Sequence, residues 1–381
     1  MSSEELTDLR WDPYFMRKGE EFYKFWEQYL TMAEHNILYV LGQGFDPRMC
    51  TGLEAIIKFG GNGGRDCLLI NFIEGPDSPS IQLIESVKNN RTNLEKLISG
   101  RGRLQEKEIQ MWSSKGRDRR RVSSISASKI FDNINAIKNY TDIVVDISAL
   151  PRAIYFTLIA KLIHILDEND HSKHINLHVV IHEDAQLDEK IKDVGVDETA
   201  SFVHGFAGTS MESEGTSKIP KVWIPILGEN QGVQLGRIFS FINPDEICPV
   251  LPHPSVNPRR SNDLLMSYRD LIFDQWSIEP RNIIYASEQN PFDIYRQITK
   301  IILRYNKALK PIGGCKAFIS AQSNKLLSIG ALLAAYDLQK KMESKRVGIV
   351  HIESLGYEMH NINTMSGELF SLWIQGDCYA P

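Results

Sequence analysis

Polar residues that suit the binding of an anion follow three predicted strands in the first half of the chain. Arginines come after two of these strands, and a guanidinium group matches the oxygens of a phosphate. The helices that follow would add backbone N–H donors at their N-termini. The candidate ligand-binding residues of this half are Gly42, Gly44, Asp46, Arg48, Glu74, Asp146, Ser148 and Arg152. We therefore expect a site for a nucleotide or another phosphorylated small molecule.

Carboxylates in the same loops leave two other interpretations open. If their strands are neighbours, Asp46, Glu74 and Asp146, with Asp77 nearby, could hold a divalent metal for hydrolysis of a phosphodiester or nucleotide. Aspartate and serine are also helix-capping residues, and Asp46 and Ser148 both lie just before a proline and a predicted helix. Because capping and chemistry need the same residue types, we assign no catalytic residue and no metal ligand, and whether the chain is an enzyme stays open.

A second group of candidates follows the predicted strand at residues 316–319. The loop offers hydroxyl, amide and ammonium groups at the start of a helix, which is the composition of a phosphate or ribose site. The alternative is an N-cap serine followed by a solvated lysine. A glutamate at the end of the next predicted strand would lie beside this loop if the two strands are parallel neighbours. The candidates of this half are Ser320, Ser323, Asn324, Lys325 and Glu353.

Familiar nucleotide and nucleophile motifs are not met by this sequence. Gly42-Gln43-Gly44 begins like the dinucleotide fingerprint GxGxxG, but Pro47 stands in place of the third glycine. The phosphate-binding pattern GxxxxGK[ST] and the serine elbow GxSxG do not occur in the chain. The cofactor is therefore left unknown.

The candidate loops would be positioned by a repeated order of strand, polar loop and helix. Apolar runs of strand length recur along the chain, and each leads through a polar loop into a helical pattern. This order predicts an α/β fold of two tandem Rossmann-like, doubly wound parallel sheets with an N-terminal amphipathic helix. The predicted domains are an N-terminal helical segment 1–35, a first domain 36–204, a Gly/Ser-rich linker 205–220 and a second domain 221–381.

Composition excludes some classes of protein and partner. The 381 residues are 42% hydrophobic and 24% charged, the values of an ordinary globular protein, and the net charge is −5. No apolar stretch is long enough to span a bilayer, so we expect no membrane partner. Five scattered cysteines without a CxxC pair fit reduced thiols and a cytoplasmic location. The one strongly basic stretch, with Arg117, Arg119, Arg120 and Arg121, is either a solvated face or a site for phosphates or nucleic acid.

An aromatic stripe in the first predicted helix is the main candidate for protein contacts. Phe22, Phe25, Trp26 and Tyr29 recur at helical spacing within residues 18–34. We favour packing of this stripe on its own domain. The alternative is a scaffold subunit whose Phe22/Trp26 stripe docks a partner protein, and homo-oligomerisation also stays open.

Two segments resemble a known group of proteins. DISALPRAIYF (Asp146 to Phe156) and ISAQSNKLLSIGALLAAY (Ile319 to Tyr336) resemble the strand, polar loop and helix elements of CARF and related Rossmann-like proteins of prokaryotic defence. Such proteins bind nucleotide second messengers in the loops at the strand ends. The chain departs from them in lacking a glycine- and threonine-rich loop after Asp146. The resemblance implies a sensor or regulatory component of a bacterial, anti-phage protein complex.

Overall fold

The computed structural model divides into two compact units. The first unit comprises Pro13–Gly195 and the chain from Ser354 onward, and the second comprises Val196–Glu353 and the segment that ends at Asp12. The described residues are 8–75, 78–113, 120–169, 175–207, 211, 218–342, 346–359 and 366–379. Asp77, Arg117 and Arg119 therefore lie outside the described residues.

The strands and helices alternate along most of the chain. The strands are β1 (Phe15–Lys18), β2 (Ile37–Gln43), β3 (Arg65–Ile73), β4 (Leu104–Gln110), β5 (Asp142–Asp146), β6 (Asn176–Glu183), β7 (Ile191–Asp193), β8 (Ser201–Phe202), β9 (Lys221–Ile226), β10 (Glu246–Ile247), β11 (Val250–Pro252), β12 (Ile284–Ala286), β13 (Lys316–Ala321), β14 (Val347–His351), β15 (Tyr357–Met359) and β16 (Glu368–Gln375). The α-helices are α1 (Glu20–Met32), α2 (Thr51–Lys58), α3 (Ile84–Ile98), α4 (Ser123–Ala127), α5 (Arg152–Asp167), α6 (Ala185–Asp188), α7 (Gly232–Ile242), α8 (Arg260–Ser267), α9 (Pro291–Ala308) and α10 (Lys325–Lys341).

The first unit contains a doubly wound sheet in the order β1-β16-β6-β5-β2-β3-β4. The five strands from β2 to β6 run parallel to one another. The chain moves outward from β2 to β4 and then adds β5 and β6 on the other side of β2. The direction of winding therefore reverses between β2 and β5, and we call this place the first switch point. Strand β16 pairs antiparallel with β6, and β1 pairs antiparallel with β16.

The second unit repeats this winding. Its sheet has the order β12-β11-β9-β13-β14-β8, and the strands from β12 to β14 in this order are parallel. The chain moves from β9 through β11 to β12, then adds β13 and β14 on the other side of β9. The second switch point therefore lies between β9 and β13. Strand β8 closes the β14 edge as an antiparallel strand.

The sequence explains why the central elements form. All five residues of β5 are buried, and its run Ile143-Val144-Val145 suits a parallel strand that is covered on both faces. Helix α1 places Phe22, Trp26 and Leu30 four residues apart on one face, and all three are buried in the core of the first unit. The Phe22/Trp26 stripe therefore packs on its own unit, and its burial rules out the docking role of the scaffold alternative.

The predicted fold class is confirmed, but the continuous domain boundaries differ from the observed units. The helix predicted as a separate segment 1–35 belongs to the first unit. The run Phe370–Ile374, which the predicted boundaries assign to the second domain, lies in β16, inside the first sheet. The predicted linker 205–220 includes Phe206 and Met211, whose side chains are only 1% and 4% exposed. Both residues belong to the second unit, and Met211 lies in its hydrophobic core.

None of the described helices combines the length and the apolar composition that a bilayer crossing requires.

Candidate functional site

Most of the predicted residues of the first half converge on the first switch point. Because β2 and β5 are parallel neighbours, the loops that follow them leave the same edge of the sheet. Gly44 follows β2 and faces Ala149 in the loop after β5. A Cβ atom built on Gly44 would lie 3.5 Å from the Ala149 Cβ, which is an ordinary contact. The two loops are therefore neighbours, and a methyl group at Gly44 would fit between them without a steric clash.

Arg48 is not directed at a ligand. Its side chain is 3% exposed and lies between two carboxylates, with Nη2 2.7 Å from Asp46 Oδ2 and 2.8 Å from Asp188 Oδ1. Its Nε also donates to Asp46 Oδ1 at 3.0 Å. Burial lowers the pKa of Arg48, but the two carboxylates outweigh this effect and raise it above its ordinary value. The predicted phosphate contact of Arg48 is thus replaced by a buried ion pair that holds the loop after β2.

Asp146 and Ser148 likewise hold the loop after β5. Asp146 Oδ2 accepts a hydrogen bond of 2.6 Å from the Tyr39 hydroxyl, and Oδ1 accepts one of 2.9 Å from the Ser148 N–H. Ser148 Oγ accepts a 2.9 Å hydrogen bond from the His182 N–H. Both side chains are buried, so they connect β2, β5 and β6 beneath the loop rather than line its surface.

Gly42 and Glu74 have local structural roles. A Cβ on Gly42 would lie 2.7 Å from Phe72 and 2.8 Å from Leu150, so the absence of a side chain there serves core packing. Glu74 accepts a hydrogen bond from the Ser78 hydroxyl, which closes the turn after β3. Gly42 thus packs under the loop after β5 at Leu150, whereas the contact of Glu74 is local to the chain after β3.

Arg152 is the predicted residue that best fits a ligand contact. It is the first residue of α5, it is half-buried, and Pro151 at the N-cap position provides no side-chain hydrogen bond to the helix. Helix α5 thus starts beside the first switch point without a side-chain cap, as do six other α-helices of the described chain, so its first N–H groups make no hydrogen bond to an N-cap side chain. The N-terminal end of a helix carries partial positive charge, and the guanidinium group adds a full one.

The second switch point is closed by the chain itself. A Cβ on Gly228, in the loop after β9, would lie 2.1 Å from the carbonyl oxygen of Gln322, in the loop after β13. Asn324 caps α10, because its Oδ1 accepts a hydrogen bond of 2.9 Å from the Leu327 N–H. The backbones of the two loops are therefore in direct contact where a ligand would enter.

The other candidates of the second half are placed as follows. Ser320 is fully buried and its Oγ accepts a 2.9 Å hydrogen bond from Trp223 Nε1. Ser323 and Lys325 are half-buried in the loop after β13 and at the start of α10. Glu353 follows β14, which is a parallel neighbour of β13 as the sequence analysis expected, and its carbonyl accepts a 3.0 Å hydrogen bond from the Asp197 N–H.

An ion cluster that the sequence analysis did not predict lies at the same edge of the second sheet. Arg260 forms ion pairs with Glu229, at 2.7 Å, and with Glu288, which is buried. Tyr268 adds a 2.6 Å hydrogen bond from its hydroxyl to the Gly228 carbonyl. Both glutamates lie shortly after a strand, and this position was the signal in the sequence for a place at this edge of the sheet. Their shared partner Arg260 is distant in sequence, so the cluster itself could not be predicted.

The basic stretch is described only in part. Arg120 is exposed. The guanidinium carbon of Arg121 lies 3.7 Å from the centroid of the Trp112 ring, and this side chain also donates to the Ser354 carbonyl. Arg121 is thus occupied by contacts within the first unit, which weakens the case for nucleic-acid binding through this stretch.

No metal cluster is formed by the carboxylates of the alternative interpretation. Asp46, Glu74 and Asp146 each bind a different protein group, and among the described residues no three His, Cys, Asp or Glu side chains are grouped to hold a metal ion. In the described part of the chain these three carboxylates are therefore engaged in contacts within the protein.

Comparisons with known proteins give structural likenesses only. No family model matches the chain, and no curated protein matches it. Among solved structures, one similar fold is titled the structure of a Type III CRISPR defence DNA nuclease activated by cyclic oligoadenylate, with 8% identity, a TM-score of 0.46, and coverage of 85% of this chain and 67% of that one. Another is a universal stress protein from Archaeoglobus fulgidus DSM 4304, with 9% identity, a TM-score of 0.22, and coverage of 82% and 94%.

The first of these neighbours is titled a defence nuclease, and residues 146–156 and 319–336 of this chain resemble elements of prokaryotic defence proteins. Both TM-scores are too low to bear on function. The assignment of the site therefore rests on the strand order and contacts described above.

Proposed function

We propose that the chain binds a nucleotide or another phosphorylated ligand at the first switch point, as a sensor or regulatory component of a bacterial anti-phage assembly. The observation that carries the proposal is the start of α5. A helix without a side-chain cap begins there with Arg152, beside the loop after β2, in which a Cβ built on Gly44 would make only an ordinary contact with Ala149. Backbone N–H groups, the helix dipole and a guanidinium group all favour a phosphate at this place.

The buried groups around the site are positioning residues. The Asp46–Arg48 ion pair fixes the loop after β2, and the Asp146 carboxylate fixes the backbone at Ser148. Loops that are held by buried hydrogen bonds lose little further freedom when a ligand binds. This arrangement favours a ready-made binding site and gives the carboxylates no free role in hydrolysis.

The defence context is taken from the resemblance of residues 146–156 and 319–336 to CARF and related proteins. That resemblance supports a nucleotide second messenger as the ligand class. We therefore place cyclic oligoadenylates, which activate the Type III CRISPR nuclease, in the first panel of ligands together with mononucleotides and cyclic dinucleotides.

The test is a titration of this panel against matched variants at Gly44. Gly44→Leu should fill the space opposite Ala149 and lower affinity about ten-fold or more, equivalent to about 1.4 kcal/mol. Gly44→Ala should bind like the wild type because its Cβ makes an ordinary contact. Thermal unfolding of both variants checks that the fold is kept. Equal affinity in the two folded variants would contradict the proposed position.

Charge at the helix start is tested separately. Arg152→Ala should weaken binding about five-fold, because a charge-assisted hydrogen bond is lost. Lys325→Ala is the matched control, since Lys325 is the first residue of the equivalent helix α10 in the second unit. A larger loss in Lys325→Ala than in Arg152→Ala would move the site to the second unit.

A further inference from the structure

A short segment near the start of the chain is docked on two helices of the second unit. Residues 8–12 form one compact unit with Val196–Glu353, whereas strand β1, which follows them, belongs to the first unit. These residues form no strand or helix of their own. A turn closes the segment, because the Asp12 N–H donates a hydrogen bond of 3.2 Å to the Leu9 carbonyl. The segment therefore lies on the second unit as a folded peptide would.

Trp11 is the anchor of this segment. Its side chain is 1% exposed, and its ring meets the Tyr295 ring of α9 edge-on, with 5.2 Å between the centroids. The guanidinium carbon of Arg10 lies 5.0 Å from the Trp11 centroid and 5.7 Å from the centroid of Tyr336 in α10. One cation thus contacts both rings. Tryptophan, tyrosine and arginine are the residue types that most often dominate the energy of an interface.

Charged groups hold both ends of the segment. Arg296 of α9 lies with its Nη2 3.5 Å from Asp12 Oδ2. At the other end, Lys341 of α10 donates a hydrogen bond to the Asp8 carbonyl. The two helices thus fix the direction in which the segment runs.

The Tyr295 hydroxyl reads the backbone of the segment. Burial and the neighbouring Asp337 raise the pKa of Tyr295, and hydrogen bonds from the backbone N–H groups of Trp11 and Arg10 oppose this rise. The hydroxyl in turn donates a hydrogen bond of 2.6 Å to Asp337 Oδ2. Because this carboxylate is buried, the hydroxyl is held in place to accept from the segment.

The two helices are held together by contacts that do not involve the segment. They pack against each other, and every residue of α10 from Leu326 to Leu338 is buried. A Cβ built on Gly330 would lie 2.3 Å from the Pro291 carbonyl oxygen, so α10 and the start of α9 are in close contact. The surface that receives the segment is therefore part of a packed helix pair.

We propose that the surface of α9 and α10 is a peptide-binding site with a pocket for a tryptophan ring, and that residues 8–12 occupy it as a separable ligand. A free peptide with the same order of leucine, arginine, tryptophan and aspartate would compete for this site. The proposal does not rest on the nucleotide site.

A fluorescently labelled peptide of residues 8–13, DLRWDP, is the probe, and its anisotropy is measured with the whole chain. The Trp11→Ala chain should bind the peptide, because its own segment has lost the anchor. The wild type should bind it at least about ten-fold more weakly, since its own segment competes at a high effective concentration. Met266→Ala should bind as weakly as the wild type, because this exposed side chain lies on α8, away from the helix pair. Alanine in place of tryptophan in the peptide should lower affinity about thirty-fold.

Thermal unfolding checks that the variants keep the fold, and hydrogen exchange of the wild type gives a second test. Excess DLRWDP peptide should accelerate exchange of the backbone N–H groups of Arg10 and Trp11, because it holds the site while the segment is released. The alanine peptide should leave their exchange unchanged. Equal affinity of the Trp11→Ala and wild-type chains, equal affinity of the two peptides, or no acceleration by DLRWDP would show that the segment is an inseparable part of the unit. Any of these results would overturn the proposal.

Discussion

The two units share a strand order but differ at their switch points. In each unit, three parallel strands follow one another toward one edge of the sheet. The next two parallel strands lie on the other side of the first of these three. At the first switch point a Cβ built on Gly44 would make only an ordinary contact with Ala149, and α5 starts without a side-chain cap. At the second, Gly228 lies against the Gln322 carbonyl and Asn324 caps α10. The strand order thus determines where a ligand site can form. The contacts between the loops determine whether that place is occupied by the protein's own backbone.

The largest effect is expected at the buried ion pair of the first unit. Arg48→Ala leaves the carboxylate of Asp46 buried without its partner, which should lower the free energy of unfolding by about 3–5 kcal/mol. Denaturant unfolding of the variant measures this loss. In the second unit the partly exposed Arg260 pairs with the exposed Glu229, so Glu229→Gln is the control and should cost below about 1 kcal/mol. A stable Arg48→Ala protein would show that Arg48 is not a positioning residue.

The next largest effect is a difference in stability between glycine-to-alanine variants at the two switch points. Gly228→Ala would place a Cβ 2.1 Å from the Gln322 carbonyl oxygen, and we expect the strain to cost about 1–3 kcal/mol. Gly44→Ala at the equivalent loop should be close to neutral. Thermal unfolding of the two variants side by side measures the difference. Similar melting temperatures would mean that the two loops are packed alike, contrary to the comparison.

The smallest effect is expected in the pH dependence of stability. Burial lowers the pKa of His178 below its ordinary value of 6.5, although Asp142 lies 3.5 Å away. Because the unfolded chain takes up this proton first, stability should be complete above about pH 6.5 and fall as the pH drops below it, by up to about 1.4 kcal/mol per pH unit. The described part of the second unit has no buried histidine, so its core should be less affected.

Unfolding of His178→Gln at several pH values checks the assignment. Its stability should change less between pH 7 and pH 5.5 than that of the wild type. His253→Gln serves as the control because His253 is exposed in the second unit. An unchanged slope in His178→Gln would assign the acid sensitivity to another group.

Local patterns were sufficient to predict the alternation of strands and helices. The runs 37–41, 141–147 and 316–319 all became strands, because each is apolar and bounded by turn residues. The convergence of Asp46, Asp146 and Ser148 on one edge could be predicted too, since parallel strands end at a common edge. What the pattern did not reveal was that β16 joins the first sheet, because an apolar run does not specify its neighbour.

The roles of the site residues depended on distant partners. Arg48 looked suited to bind a phosphate, but its guanidinium group forms ion pairs with Asp46 and with Asp188, which is distant in sequence. Asp146 looked like a residue for a phosphorylated ligand or a metal, but its Oδ2 accepts a hydrogen bond from the Tyr39 hydroxyl of a neighbouring strand. Such pairings follow from tertiary contacts that one-dimensional spacing does not encode. Arg152 and Gly44 stay candidates because of their positions, at the start of α5 and in the loop after β2, where these two elements lie side by side at the first switch point.

Hydrogen–deuterium exchange with and without the tightest-binding nucleotide of the panel tests the central claim most directly. A ligand at the first switch point should protect the backbone N–H groups of residues 43–47 and of residues 148–155 at the start of α5. Residues 228–232 and 322–328 should exchange as before. Protection confined to those second-unit segments, or no protection in either unit at saturating ligand, would contradict the account.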